Sequence, residues 1–79
     1  MRSFVVIGLG KFGFNIAKTL YELGQEVTAI DTDKEIVQKI QEFSTQAVVA
    51  DASVAETLSA LGIENVDVAV VSPDQVAEA

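Results

Sequence analysis

The segment from Ser3 to Gly13 reads S-F-V-V-I-G-L-G-K-F-G, and the fold of the whole chain turns on it. A short, unbroken apolar run that ends in glycine marks a strand covered on both faces, so Ser3 to Ile7 is expected to be a buried strand. The glycines that follow, Gly8, Gly10 and Gly13, have the spacing G-x-G-x-x-G. From Phe12 the apolar residues fall at Phe12, Ile16, Leu20 and Leu23, a helical stripe expected to face the sheet, with Gly24 as its C-terminal breaker. Glu26 to Ile30 (E-V-T-A-I) then reads as a second strand closed by Asp31. Strand, helix and strand within about thirty residues make a βαβ unit, whose right-handed crossover leaves the two strands parallel.

The alternation continues along the chain. Thr32 with Glu35, or Asp33 as the cap itself, opens a second helix whose apolar positions Ile36, Ile40 and Phe43 share a face. Ala47 to Ala50 is a weak third strand. Ser53 with Glu56 has the pattern of a capping box, followed by Leu58 and Leu61 and a stop at Gly62. Val66 to Val71 (V-D-V-A-V-V) is the fourth strand. The β-α-β-α-β-α-β order predicts a Rossmann-like, doubly wound parallel sheet with helices on both faces and strand order 3-2-1-4. The fourth strand would then be an open edge, so residues 1–79 are read as one nucleotide-binding domain cut from a longer protein.

Bulk properties exclude much else. A domain of 79 residues hides only about 60% of the surface its unfolded chain exposes, so a bound ligand or partner would be a natural supplement to its core. Twelve acidic against five basic residues give a net charge of −7, which argues against nucleic acid and against an anionic membrane surface. With no Cys and no His, disulfides, thiol chemistry, imidazole catalysis and most transition-metal sites are excluded, and no metal site is expected. Neither a signal peptide nor a membrane span is legible, so a cytoplasmic location without direct membrane insertion is expected.

The chemistry is expected at the glycine-rich turn. G-x-G-x-x-G alone is common by chance, but here it follows a predicted strand and opens a predicted helix. Gly8 permits the tight turn, Gly10 lets a pyrophosphate approach the backbone, and Gly13 lets the helix pack close to the strand. Unpaired N–H groups and the positive end of the helix dipole meet the anion. Asp31, eighteen residues after Gly13, stands where an acidic side chain accepts hydrogen bonds from the ribose 2′- and 3′-hydroxyls, and its charge rejects a 2′-phosphate. The plainer reading of Asp31 is a helix cap. Thr32 beside it is counted with the cofactor-binding residues. Asp51, with the Ala52 amide, is placed to reach an adenine edge, or else shares a capping role with Ser53. Lys11 is either a point charge on a phosphate or a solvated lysine. Phe12 is a candidate cofactor-binding residue that could cover the ligand, although it reads first as core between helix and sheet. Ser72 either borders the pyrophosphate or merely ends a strand. No catalytic constellation is visible, so a binding role is favoured over an enzymatic one.

These residues resemble the KTN domain, the amino-terminal lobe of the RCK domains of Ktr and Trk potassium uptake systems. The likeness rests on G-L-G-K-F-G at Gly8 to Gly13, I-D-T-D at Ile30 to Asp33, A-D-A-S at Ala50 to Ser53, and L-x-x-x-G-I from Leu58 leading into D-V-A-V-V from Asp67. Many relatives have arginine where this chain has Lys11 and glycine where it has Ala50. The resemblance implies a cytoplasmic regulatory, gating subunit of KtrA or TrkA type that binds NAD(H) or ATP/ADP. It also implies homo-oligomers, a dimer and then a ring, attached at the inner face of the membrane to a potassium channel subunit. The competing expectation is the amino-terminal half of an NAD-dependent dehydrogenase.

Overall fold

The computed structural model describes residues 2–50, 59 and 66–71. Strand β1 (Ser3–Ile7) leads through the glycine turn into helix α1 (Lys11–Glu22), then strand β2 (Glu26–Asp31) and helix α2 (Lys34–Ile40). A single 3-10 turn (Gln41–Phe43) joins α2 to strand β3 (Gln46–Val49), and strand β4 (Val68–Val71) completes the described elements. The expected strand ranges are met to within two residues. The helix expected after Ser53, with Glu56, Leu58, Leu61 and Gly62, lies outside the described residues.

The four strands form one parallel sheet in the order β3-β2-β1-β4, the Rossmann-like arrangement expected from the alternation. Register aligns the C-terminal ends of the strands: Ile7 pairs with Ile30 on one side and Val71 on the other, and Asp31 pairs with Val49. The C-terminal ends of the four strands therefore line one edge, where open parallel sheets bind ligands.

The central strands account for the core. Val5 and Val6 of β1 and Val27 and Ala29 of β2 are completely buried, and Ile30 nearly so, which is why these stretches read as unbroken apolar runs rather than alternating ones. Each valine withdrawn from water contributes about 1.5–3 kcal/mol, an upper bound because the unfolded chain is partly compact. From α2, Val37 and Ile40 reach the same core, with Ile36 and Phe43 packed against it.

Helix α1 corrects the sequence reading. Its buried residues are Gly13 and Ala17, with Phe14, Ile16 and Leu20 packed against the core, whereas Phe12 is 58% exposed and Leu23 68%. Small residues bring the helix backbone onto β1 and β2, so the contact is centred on Gly13 and Ala17; Ile16 and Leu20 stay at its margin while Phe12 and Leu23, at the two ends of the stripe, face outward. Phe12 is thus not core. The helix ends at Gly24, whose φ of +86° suits glycine and whose N–H is donated to the Tyr21 carbonyl. Lys18 Nζ lies 4.7 Å from the Phe43 ring centroid and ties α1 to the 3-10 turn.

Candidate functional site

The site is assembled where β1 and β2 end. Gly8 has φ +90°, a conformation that L side chains rarely adopt, and it turns the chain from β1 toward α1 while its N–H is donated to the Ile30 carbonyl at 2.8 Å. Leu9, the residue between the first two glycines, sends its side chain into the core at 2% exposure. Gly10 is the N-cap of α1, with an extended backbone and no side chain with which to cap it.

The first helical hydrogen bond runs from Phe14 N–H to the Gly10 carbonyl at 2.8 Å. The amides of Lys11, Phe12 and Gly13 precede it and so have no acceptor within the helix. There is no acidic residue in the first turn of α1 to neutralise the positive end of its dipole, and Lys11 adds an exposed cation there. Three converging N–H donors, a helix N-terminus and a lysine, with no side chain at the cap, suit a phosphate or pyrophosphate in charge, in donor set and in access.

Asp31 ends β2 beside this turn. It is only 6% exposed, and both of its carboxylate oxygens accept backbone amides: Oδ2 from Leu9 N–H at 2.6 Å and Oδ1 from Asp33 N–H at 2.8 Å. Its carbonyl accepts the Ala50 N–H at 3.0 Å, which joins the end of β3 to the same edge. Asp31 is not the cap of α2. Of the capping groups offered by the sequence, Asp33 fills the role, its Oδ1 accepting the Glu35 N–H at 2.9 Å, while Thr32 is exposed between the two aspartates.

The structure thus brings Gly8, Gly10, Lys11, Gly13, Asp31 and Thr32 to one edge of the sheet. Phe12 also lies at the start of α1, but its ring borders a different surface. With Asn15, Ile16, Thr19 and Leu20 it lines an open recess of about 420 Å³ along the flank of the helix. Asp51, Ala52 and Ser72 lie outside the described residues. Leu9 was missed as a functional residue, since an apolar x within G-x-G carries no signal beyond burial. Among the described residues no group of three or more His, Cys, Asp or Glu could hold a metal ion, and no helix is long and apolar enough to cross a membrane.

Comparison with known proteins identifies the family of the chain. A family model described as the TrkA-N domain matches residues 4–79. Ktr system potassium uptake protein A of Bacillus subtilis (strain 168) is 41% identical over 71 residues, which is 90% of this chain and 32% of that protein. Ktr system potassium uptake protein C of the same organism is 39% identical, and Ktr system potassium uptake protein A of Vibrio alginolyticus 34%, over the same shares. The chain spans about a third of the length of these relatives. All three are named for potassium uptake. The likeness to the amino-terminal lobe of KtrA and TrkA-type regulators, first seen in G-L-G-K-F-G and I-D-T-D, is upheld: the chain belongs to the TrkA-N domain family.

Proposed function

We propose that this chain is the nucleotide-binding part of a cytoplasmic regulatory subunit that gates potassium uptake. The ligand is an adenine nucleotide, NAD(H) or ATP/ADP. Its phosphates rest on the amides of Lys11, Phe12 and Gly13, with Gly8 and Gly10 shaping the turn and Lys11 adding charge. Its ribose hydroxyls donate to Asp31, next to Thr32, while Asp51 with Ala52 borders the adenine and Ser72 the phosphates. In the assembled protein, homo-oligomers of such subunits sit against a membrane potassium channel subunit at the inner face of the membrane.

One observation carries this reading: three amides at the open N-terminus of α1 stand beside a buried carboxylate that is hydrogen-bonded to the same turn. The acceptor count supports the sugar assignment. A carboxylate has about four lone-pair sites, and two amides leave capacity for a ribose diol but none for a 2′-phosphate, whose charge it repels. The names of the relatives supply the potassium uptake context. Gating requires that the nucleotide bind two arrangements of the subunits with different affinity.

Calorimetric titration of the intact protein with ATP, ADP, NAD and NADH tests the proposal. Saturable binding of at least one of them, with NADPH much weaker than NADH, is the expected result. No binding of any adenine nucleotide would refute it.

A further inference from the structure

We infer that Asp31 is a positioning residue for the phosphate-binding turn, so that one carboxylate serves both halves of the nucleotide. The inference rests on the nucleotide reading above and deepens it. Its basis is the way the Leu9 peptide is held. On one side the Leu9 side chain is anchored in the core; on the other its N–H is donated to Asp31 Oδ2 across a buried 2.6 Å hydrogen bond. Leu9 lies between Gly8, with its φ of +90°, and Gly10, the residue that starts α1. Fixing this peptide fixes the direction in which the turn delivers the free amides of Lys11, Phe12 and Gly13.

The second oxygen does the same for the start of α2. Oδ1 accepts Asp33 N–H, and Asp33 in turn caps α2 through Glu35 N–H. Asp31 is therefore a strut between the loop that opens α1 and the loop that opens α2. A charged acceptor makes each of these hydrogen bonds stronger than a neutral one would. Because each oxygen has a spare lone pair, ribose hydroxyls can join without displacing the amides. Sugar contact and turn geometry are thereby linked through a single group.

The variant Asp31→Asn separates the two roles. An amide side chain has the same shape and can still exchange hydrogen bonds with hydroxyls, which both donate and accept. It cannot accept from two N–H groups with two different atoms, because one of its ends is itself a donor. The strut is lost while sugar contact is largely kept. The probes are ADP and 2′,3′-dideoxy-ADP, which lacks both hydroxyls, and the ligand-free readout is hydrogen exchange of the Leu9 and Asp33 amides with the Val6 amide as a reference for overall stability.

In the variant, exchange of the Leu9 or the Asp33 amide, whichever is left facing the side-chain NH2, is expected to accelerate about tenfold or more relative to Val6, and dideoxy-ADP is expected to bind about tenfold more weakly than to the unsubstituted protein. Dideoxy-ADP binding that is equal in the two proteins would confine Asp31 to the sugar and overturn the inference. Exchange of both the Leu9 and the Asp33 amides unchanged relative to Val6 would overturn the strut while leaving nucleotide binding standing. If the unsubstituted protein binds neither nucleotide, the nucleotide reading itself falls and takes the phosphate-positioning role with it. Should the variant fail to fold, inorganic pyrophosphate is titrated into the unsubstituted protein. It has no sugar, yet it is expected to move the Leu9 amide and Asp31 carboxyl-carbon resonances together, and a response of the turn amides without Asp31 would overturn the inference.

Discussion

Gly8 and Gly24 offer a matched pair of perturbations at the two ends of α1. Their φ values are nearly equal, +90° and +86°, so a methyl group at either meets the same intrinsic backbone penalty. At Gly24 nothing lies within 4 Å of where a Cβ would stand, so Gly24→Ala reports that penalty alone. Holding an L-residue in this region costs about 1–2 kcal/mol, against which the gain from a stiffer unfolded chain is smaller. With that gain of about 0.4–1 kcal/mol set against the cost, the net loss is about 1 kcal/mol; for a domain of this size each kcal/mol lowers Tm by roughly 4–8 °C, so Gly24→Ala should lose about 4–8 °C with an unchanged urea m-value. Gly8 is buried and directly precedes the Leu9 amide that Asp31 holds, so Gly8→Ala should cost at least as much stability. It should also weaken ADP binding about tenfold or more, which Gly24→Ala should leave unaltered. Circular dichroism against temperature and urea, with calorimetry for ADP, reads both effects. A neutral or stabilising Gly24→Ala would refute the strain argument. Equal loss of ADP affinity in both variants would show that general destabilisation, not the turn, is responsible.

Other substitutions probe the remaining parts of the account. Ile40→Ala removes a fully buried side chain from the face of α2 that meets the sheet and should cost about 2–5 kcal/mol in urea denaturation. Asp33→Ala deletes the cap of α2 and should cost about 0.5–2 kcal/mol, with Asp31 still in place to bind nucleotide. Phe12→Ser should change stability by no more than about 0.5 kcal/mol, since the ring is mostly exposed; a loss of several kcal/mol would mean that it is core after all.

The sheet was legible because its central strands are covered on both faces: V-V at Val5 and Val6 and V-T-A-I from Val27 to Ile30 admit little else once a glycine-rich turn follows the first and an aspartate the second. The centring of α1 on Gly13 and Ala17, with Phe12 and Leu23 left outside, was not legible. Large apolar residues at Phe12, Ile16, Leu20 and Leu23 form a convincing stripe, but the helix is set down on Gly13 and Ala17, whose small size permits close approach and contributes almost nothing to a hydrophobic pattern. In α2 the apolar spacing marks Ile36, Ile40 and Phe43, while Val37, which is 3% exposed, falls off that stripe and is nonetheless core. At the site, the positions of Gly8 and Asp31 follow from motif and spacing. The bond between Leu9 and Asp31 follows only from register, because the pairing of Ile7 with Ile30 places the two strand ends side by side.

The most direct test of the site is an amide chemical-shift titration of the isotopically labelled protein with ADP. The account predicts saturable shifts concentrated on Leu9, Gly10, Lys11, Phe12 and Gly13 and on Asp31, with the far end of α1 around Leu23 unmoved. Saturable binding whose shifts instead centre on Asn15, Thr19 and Leu20, along the flank of the helix, would contradict it.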